Sequence, residues 1–509
     1  MPLWVRRNMN NSHRKFLTTL AAMPVKEFKT HSQKVNPGDV FVCRQGLTWD
    51  SHLSAEDAVE RGACGVIANR SLDLSVPCIV TPSHSTSVSL INQYYAYPQD
   101  KIKHIGVTGT NGKTTVAYCL NQLLNLIGKS AYTGTLGSSF DNVYYPLDNT
   151  TPDAITLLNL FHAMEKSDVS HHVMEVSSHA LSQDRVTHID FDTVIITNIG
   201  SDHLDYHKHR EDYIQAKLRL IDRLKPGGVA IVNLDDEQAL SVIERCRSRC
   251  KVITFSCTDD QADLYVSQIH STCSGSEFSL EYQGTEYQVV SKLPFRFNIE
   301  NSLAVIASML ALGLVISEVL ALFGDMQPAP GRSEVYPLSN GATAILDYAH
   351  NFDSLSNLYR NVREHNTGKV VTVIGVTGER LADAPEIGQL CFNQSDRLVL
   401  TTDNPLGVSQ DALFDALTRH LPSETDQTVI CIKDRSEGIK EAIADLRSGD
   451  VLLLCGKGHE KYQYISKNKN EADPYLGDMD ALILAAEHMG LRLVSGKIET
   501  GEPADLMVK

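Results

Sequence analysis

A length of 509 residues suggests about three domains at ~150 residues each, and 42% hydrophobic with 21% charged residues describes a folded globular chain rather than a disordered one. A net charge of −16 argues against a general nucleic-acid binder, so an anionic substrate requires a locally basic pocket. The 11 cysteines are odd in number and contain no Cys-x-x-Cys pair, no apolar run reaches transmembrane length, and Met1–Arg7 has no long apolar region behind it, so a reduced, cytoplasmic protein without signal peptide or membrane partner is expected, as a monomer.

Residues 1 to about 100 read as a small α/β unit. Asp39–Val42, Gly65–Ala68 and Cys78–Val80 are expected strands, and Ala55–Gly62 a helix stopped by its glycine.

Residues 101–332 form the expected nucleotide domain. Lys101–Ile105 reads as a strand and Val116–Ile127 as a helix, with apolar residues near helical spacing. Between them runs Gly106-Val107-Thr108-Gly109-Thr110-Asn111-Gly112-Lys113-Thr114-Thr115. A strand, a glycine-rich turn and a helix N-terminus make an anion site, to which Lys113 adds a full charge and Thr114 a hydroxyl suited to Mg²⁺. The usual phosphate-loop pattern has glycine at 107, and here it stands at 106. Asn149-Thr150-Thr151-Pro152-Asp153 is a turn-forming polar cluster. His172-Val173-Met174-Glu175-Val176-Ser177-Ser178-His179 reads as a buried strand that ends by presenting a carboxylate, Glu175, opposite the loop, where Mg²⁺ is wanted. A strand over Thr193–Asn198 leads into Asp202-His203-Leu204-Asp205-Tyr206-His207. His203, Asp205, His207 and His209 resemble a zinc set in type, but they lie close together on one stretch without a cysteine partner; only His203 is assigned a role, and His207 and His209 are expected at the surface. A helix over Glu211–Leu224 carries Tyr213, Ala216, Lys217 and Leu220 along one side. Phe278–Tyr282 and Tyr287–Val290 alternate about a Gln283-Gly284 turn, a β-hairpin. A helix from Phe297 to about Leu312 begins with Asn298 and Asn301, and Pro330-Gly331-Arg332-Ser333-Glu334 closes the domain.

Residues 333–509 form a third α/β unit. Strands at Ala344–Leu346, Val370–Ile374, Leu398–Leu400 and Val451–Cys455 end in Asp347-Tyr348-Ala349-His350, Gly375-Val376-Thr377-Gly378-Glu379-Arg380, Thr402-Asp403-Asn404-Pro405 and Gly456-Lys457-Gly458-His459-Glu460. Polar residues at the C-terminal edge of a doubly wound sheet are where ligand binds. No Gly-x-Gly-x-x-Gly follows any of these strands, which disfavours a dinucleotide dehydrogenase.

The loop around Lys113, the run Glu175-Val176-Ser177-Ser178-His179, Arg185, Thr197-Asn198, Asp202–His207, Tyr213–Lys217 and the four strand-end motifs of the third unit together resemble the Mur ligase family, in particular its members that add the third peptide residue. Folylpolyglutamate synthases share a related loop. The resemblance implies three α/β domains: 1–100 binding a UDP-linked substrate, 101–332 a central ATP-binding ligase domain, and 333–509 a Rossmann-like domain accepting an amino acid. It implies ATP contacts at Gly109, Thr110, Asn111, Gly112, Lys113, Thr114, Thr115, Asn298, Asn301, Arg332, Asp347 and His350. It assigns Mg²⁺ to Thr114, Glu175, His203 and a carbamylated Lys217, with Lys113, Glu175, His203 and Lys217 catalytic. Substrate contacts are implied at Ser32, Asn149, Thr150, Thr151, Ser177, Arg185, Arg380, Asp403, Asn404, Gly456 and Glu460.

The implied activity is ATP-dependent amide ligation in peptidoglycan precursor synthesis, joining L-lysine or another diamino acid to UDP-N-acetylmuramoyl-L-alanyl-D-glutamate. Two alternatives stay open: the same chemistry on a different carboxylate, and a non-catalytic nucleotide-binding partner protein. The chain departs from the family at four places. His31-Ser32-Gln33 replaces Asp-Ser-Arg, Phe295 stands where a glycine precedes Phe297-Asn298, Leu406 replaces the arginine of Asp-Asn-Pro-Arg, and Leu381-Ala382-Asp383-Ala384 interrupts a basic motif after Arg380.

Overall fold

The computed structural model describes residues 11–46, 49–200, 202–324, 326–422, 427–467 and 472–494, with the side chains of Asn11, Ser12, Leu204 and Asp205 left out. The readings made on Met1–Arg7 and on the Asp205 side chain therefore lie outside the described residues. By contacts the chain divides into two units: Met1–Ile199, His203–Phe255 and Ala304–Ile316 in the first, and Gly200–Asp202, Ser256–Leu303 and Ser317–Lys509 in the second.

In the first unit, strands β1 (Phe28–Lys29), β2 (Val40–Val42), β3 (Gly65–Ala68) and β4 (Cys78–Val80) form a parallel sheet in that order. Alternate side chains of β2 and β3 serve two cores: Phe41 and Val66 pack with Val35 and Ala58, while Val40, Val42 and Ile67 join the larger core of the unit.

A second sheet contains β5 (Lys103–Thr108), β6 (Ser130–Gly134), β7 (Gly137–Phe140), β8 (Val143–Tyr145), β9 (His171–Glu175), β10 (Phe191–Ile196), β11 (Leu224–Asn233) and β12 (Lys251–Ser256). Their spatial order is β12-β11-β10-β5-β9-β6-β7-β8, parallel except for the β6–β7–β8 meander at one edge. β5 is central, and its buried apolar residues are covered on both faces. Val107 is opposite Glu175 and Thr108 opposite Ile196, so the C-terminal ends of β5, β9 and β10 emerge side by side. The glycine at 106 has a packing reason: a Cβ there would lie 2.8 Å from the Phe191 ring.

Element ends differ from the sequence reading where turns intervene. Pro98–Lys101 forms a 3₁₀ turn, so β5 starts at Lys103. The loop helix begins at Lys113, three residues earlier than expected, after Gly112 at φ +85. The helix expected over Glu211–Leu224 is Arg210–Leu218; Leu224 already pairs with Phe191 as the first residue of β11.

In the second unit, β13 (Leu264–Thr272), β14 (Gly275–Tyr282) and β15 (Thr285–Ser291) form an antiparallel meander turning at Gln283-Gly284 as read from the sequence. A six-stranded sheet follows, from β16 (Glu334–Pro337), β17 (Thr343–Asp347), β18 (Val370–Ile374), β19 (Arg397–Leu400), β20 (Thr428–Cys431) and β21 (Val451–Cys455). Its order is β16-β17-β21-β18-β19-β20, with only β16 antiparallel. Helices including Phe352–His365, Ala384–Gln394, Arg435–Ile443 and Asp478–His488 cover its two faces with separate apolar cores, the arrangement of an α/β domain.

Phe295, in the family's glycine position, adopts φ +71. Left-handed backbone costs a non-glycine residue ~1–2 kcal/mol. Complete burial of its ring in the core beside Phe297, with ring centroids 5.7 Å apart, offsets that strain. All eleven cysteines are free, as expected for reduced thiols, and among the described residues no helix is long and apolar enough to cross a membrane.

Candidate active site

The loop after β5 is pinned to the end of β10. Thr110 N–H donates to the Asn198 carbonyl at 2.9 Å, Asn111 N–H to Asn198 Oδ1 at 2.9 Å, and Thr197 Oγ1 to the Asn111 carbonyl at 2.6 Å. A Cβ on Gly109 would sit 1.8 Å from Thr197 Oγ1, so only glycine allows this approach. Lys113 Nζ donates to the carbonyls of Gly109 at 2.8 Å and Thr110 at 2.9 Å, which folds its ammonium over the loop.

Glu175 is fully buried at the end of β9. Oε2 accepts from Thr114 Oγ1 at 2.9 Å and Thr135 Oγ1 at 3.2 Å; Oε1 accepts from Tyr132 OH at 2.5 Å and Thr135 N–H at 2.9 Å. Four donors hold the carboxylate in one orientation next to the first turn of the loop helix. Gly134 makes this possible, because a Cβ there would lie 2.2 Å from Glu175 Oε1. Tyr132, Gly134 and Thr135 were not singled out from the sequence. They sit on or just after β6, which reaches Glu175 only because β6 pairs with β9, a neighbour distant in sequence.

Lys217 lies on the helix Arg210–Leu218 with 1% exposure, and Tyr213, Ala216 and Leu220 are buried with it, the side expected from their spacing. Its Nζ donates to the Gly109 carbonyl at 2.6 Å and stands 4.5 Å from the Tyr213 ring centroid. The Tyr213 hydroxyl in turn meets Thr110 Oγ1 at 2.9 Å. Lys113 and Lys217 thus converge on one loop carbonyl. His203 has φ +55, and its ring lies 4.7 Å from His179 and 6.4 Å from Tyr213. His209 is exposed as expected. His207 is not a surface residue: it is buried, with Nε2 3.0 Å from Ser178 Oγ and its ring 5.4 Å from Tyr213.

The polar cluster after β8 is stitched to the same edge. Thr150 Oγ1 meets Thr135 Oγ1 at 3.2 Å. Thr151 is buried; its Oγ1 donates to the Glu175 carbonyl at 2.8 Å and accepts from Ser177 N–H at 3.0 Å. Arg185 Nη1 donates to the Thr151 carbonyl at 2.7 Å, and Asp153 caps the helix Ala154–Lys166. Asn149 is exposed beside them. Ser32 is buried in a 3₁₀ turn of the small sheet, whose Lys34 pairs with Asp148.

Among the described residues no group of three or more His, Cys, Asp or Glu side chains converges as a metal-holding set. Mg²⁺ needs no such set when it binds through one or two carboxylates and substrate phosphates. The buried Glu175 carboxylate beside the Thr114 hydroxyl fits that mode.

In the second unit the predicted residues gather at the C-terminal edge of β17, β21, β18 and β19. Asp347 Oδ2 accepts from Ser333 N–H at 2.7 Å and Ser333 Oγ at 2.9 Å, and Oδ1 from Ala349 N–H at 2.8 Å; burial pushes its carboxyl above the usual range. The Arg332 guanidinium lies 4.3 Å over the Tyr348 ring. His350 Nδ1 lies 2.6 Å from the Tyr348 carbonyl, and burial lowers its pKa to about 4, so the ring is neutral at pH 7. Arg380 Nη2 donates to Asp202 Oδ1 at 2.9 Å, and Asn351 Nδ2 to Asp202 Oδ2 at 3.2 Å. Asn298 and Asn301 are buried; Asn298 Nδ2 donates to the Pro294 carbonyl at 2.8 Å and Asn301 Nδ2 to Asn298 Oδ1 at 2.9 Å.

Asp403, Asn404 and Glu460 surround Lys457, which the sequence reading passed over. Its Nζ lies 2.9 Å from Glu460 Oε2, 2.8 Å from Asn404 Oδ1 and 3.5 Å from Asp403 Oδ1. Burial alone would raise the Glu460 carboxyl, but the Lys457 ammonium and the Tyr348 and Asn404 hydrogen bonds outweigh it and hold it below the ordinary value. Asp403, farther from the ammonium, is raised by burial despite it. One ammonium balances one of the two carboxylates, so the cluster keeps a formal charge of −1. The position of Lys457, three residues before Glu460, was visible, but a loop residue carries no periodicity that would mark it as buried.

Residues 107–309 match the Mur ligase middle domain and residues 331–458 the glutamate ligase domain of Mur ligases. The UDP-N-acetylmuramoyl-L-alanyl-D-glutamate–2,6-diaminopimelate ligase of Geobacillus thermodenitrificans is 35% identical over 451 residues, covering 87% of this chain and 91% of that protein. The ligase of the same name from Bacillus cereus is 33% identical over 458 residues, 88% of this chain and 92% of its own length. A solved structure of a ligase of this name superposes with a TM-score of 0.61 at 27% identity, covering 91% of this chain and 95% of the other. With two Mur ligase domain models matched along the chain and relatives above 30% identical over most of its length, this protein belongs to the Mur ligase family and is an ATP-dependent amide ligase.

Proposed function

We propose that the protein joins a diamino acid to UDP-N-acetylmuramoyl-L-alanyl-D-glutamate in the cytoplasm. The observation that carries this is the convergence of Lys113, Thr114, Glu175 and Lys217 on one loop in a chain similar to diaminopimelate ligases. A carboxylate is a poor electrophile because oxide would have to leave. A carboxylate oxygen of the acceptor attacks the γ-phosphorus of ATP, the bond to ADP breaks, and an acyl phosphate forms. A neutral amine then attacks the acyl carbon, and phosphate leaves from the tetrahedral intermediate. Lys113 offsets charge on the transferring phosphoryl oxygens. Glu175, Thr114 and His203, with Lys217 as its carbamate, would hold Mg²⁺, which supplies Lewis-acid stabilisation of phosphate oxygens. Asn298, Asn301, Arg332, Asp347 and His350 complete the nucleotide contacts. Residues 1–100 with Asn149, Thr150, Thr151, Ser177 and Arg185 hold the nucleotide-linked acceptor. Within 333–509, Arg380, Asn404, Gly456 and Glu460 receive the amino acid. The chain works as a monomer, with its three domains at 1–100, 101–332 and 333–509.

Within this reading the amino acid is L-lysine rather than meso-diaminopimelate, although the similar ligases are named for the latter. Leu406 occupies the place of an arginine, at φ +52 with its N–H bonded to the Tyr464 carbonyl at 2.9 Å. A second carboxylate buried there without a cation costs several kcal/mol in effective terms. Asp403, Glu460 and Lys457 together carry a formal charge of −1, which favours a substrate ammonium over a carboxylate. In a competition assay with ATP, acceptor and equimolar amino acids, lysine should be incorporated at least ~10-fold faster, about 1.4 kcal/mol per decade. Equal incorporation would overturn the pocket reading. The replacement of Asp-Ser-Arg by His31-Ser32-Gln33 favours a second reading, ligation to a different carboxylate. In that case the same assay gives ATP turnover only when another acceptor replaces the UDP-linked dipeptide.

A further inference from the structure

We infer that Lys457 is a positioning residue for the incoming amino acid, orienting Asn404 and Glu460 from beneath. This rests on the amino-acid role proposed above for Asn404, Gly456 and Glu460. Lys457 has 0% side-chain exposure. Its three N–H donors have three acceptors: Asn404 Oδ1 at 2.8 Å, Glu460 Oε2 at 2.9 Å and the Tyr462 carbonyl at 2.6 Å. An ammonium with every donor engaged in a dry site has one orientation, and it fixes its partners. Asn404 could otherwise present either end of its amide. Here Oδ1 faces Lys457 and also accepts from Tyr464 N–H at 3.0 Å, so Nδ2 is turned to Glu460 Oε2 at 3.1 Å. Glu460 Oε1 is held by Tyr348 OH at 2.8 Å.

The loop is shaped to bring these groups together. Gly456 has φ +101, and a Cβ there would lie 3.1 Å from Asp403 Oδ2. Gly458 has φ +51, and its Cβ would lie 2.9 Å from the Tyr348 ring. Two glycines in left-handed backbone let the segment wrap the end of β21 and carry Lys457 under Asn404. A lysine buried only for packing would be a poor choice, since an apolar side chain would fill the volume without desolvating a charge. What the ammonium adds is orientation of the amide and carboxylate above it.

The test uses full-length Lys457→Met and Lys457→Gln, with Lys457→Arg, which keeps the charge but not the compact ammonium, if the neutral variants fold poorly. Steady-state constants are measured for the amino acid, ATP and the nucleotide-linked carboxylate. In parallel, hydroxylamine replaces the amino acid; this small amine traps the acyl phosphate without needing the pocket. The expected result is a KM for the amino acid raised at least ~10-fold, KM for ATP within about two-fold of wild type, and hydroxamate formation at the wild-type rate. An unchanged amino-acid KM, or hydroxamate formation falling in step with ligation, would overturn the assignment, because a merely structural lysine would weaken all these activities together. Wild-type protein that forms hydroxamate but no amide with any diamino acid would instead refute the amino-acid reading on which this rests.

Discussion

Replacing Lys113 by alanine is expected to lower the rate of ADP formation by at least ~10²–10³-fold, about 3–4 kcal/mol of transition-state stabilisation, while the fold persists. The side chain opens the helix Lys113–Ile127, and its ammonium rests on the Gly109 and Thr110 carbonyls. Alanine keeps the helix, since it is the best helix former. The loop keeps its ties to Thr197 and Asn198, which involve backbone groups and not the Lys113 side chain. What is lost is the Lys113 charge that offsets the transferring phosphoryl oxygens. Single-turnover measurement of ADP at saturating ATP, with circular dichroism to verify folding, checks this. A rate within a few-fold of wild type would remove the phosphoryl-transfer role from this loop.

Lys217→Ala is expected to lose at least ~100-fold of activity and to regain part of it in acetate or formate. As an ammonium, Lys217 donates to the Gly109 carbonyl beside Lys113. A second fixed cation there suits the nucleotide's phosphates but would repel a divalent ion. Carbon dioxide turns the amine into an anionic oxygen ligand and removes the conflict. The burial of the side chain shields such a carbamate from hydrolysis by bulk water. A small carboxylate can enter the space left by alanine and supply the oxygens. Carbon-13 spectroscopy of wild-type enzyme under labelled carbon dioxide should give a carbamate resonance absent from the variant. An active enzyme without that resonance, or a variant that no carboxylate rescues, would show that the lysine acts as a cation.

The parts of the fold legible in the sequence were those with continuous apolar runs. Gly65–Ala68, Val370–Ile374 and Val451–Cys455 were read to the residue because strands buried on both faces need no partner to be recognised. Lys113 and Glu175 were legible because a glycine-rich turn and a carboxylate at a strand end have local signatures. The clamp on Glu175 was not. Tyr132, Gly134 and Thr135 matter through the pairing of β6 with β9, a non-local fact. His207 failed for a related reason: it follows a helix-like polar stretch, and only packing against Ser178 and Tyr213 buries it. Phe295 and Leu406, which stand where the family has glycine and arginine, both adopt positive φ, which no local sequence signal announces. Asp403 and Glu460 lie at separate strand ends in the sequence, and only the fold shows that Lys457 stands between them.

The most direct measurement follows the oxygen atom. The UDP-linked dipeptide is prepared with oxygen-18 in its carboxylates and turned over with ATP and lysine. Phosphoryl transfer to the carboxylate followed by amine attack requires one labelled oxygen in the phosphate released with each amide formed, and ADP as the other product. Unlabelled phosphate alongside amide formation, or label appearing in AMP, would contradict an acyl phosphate formed at this loop.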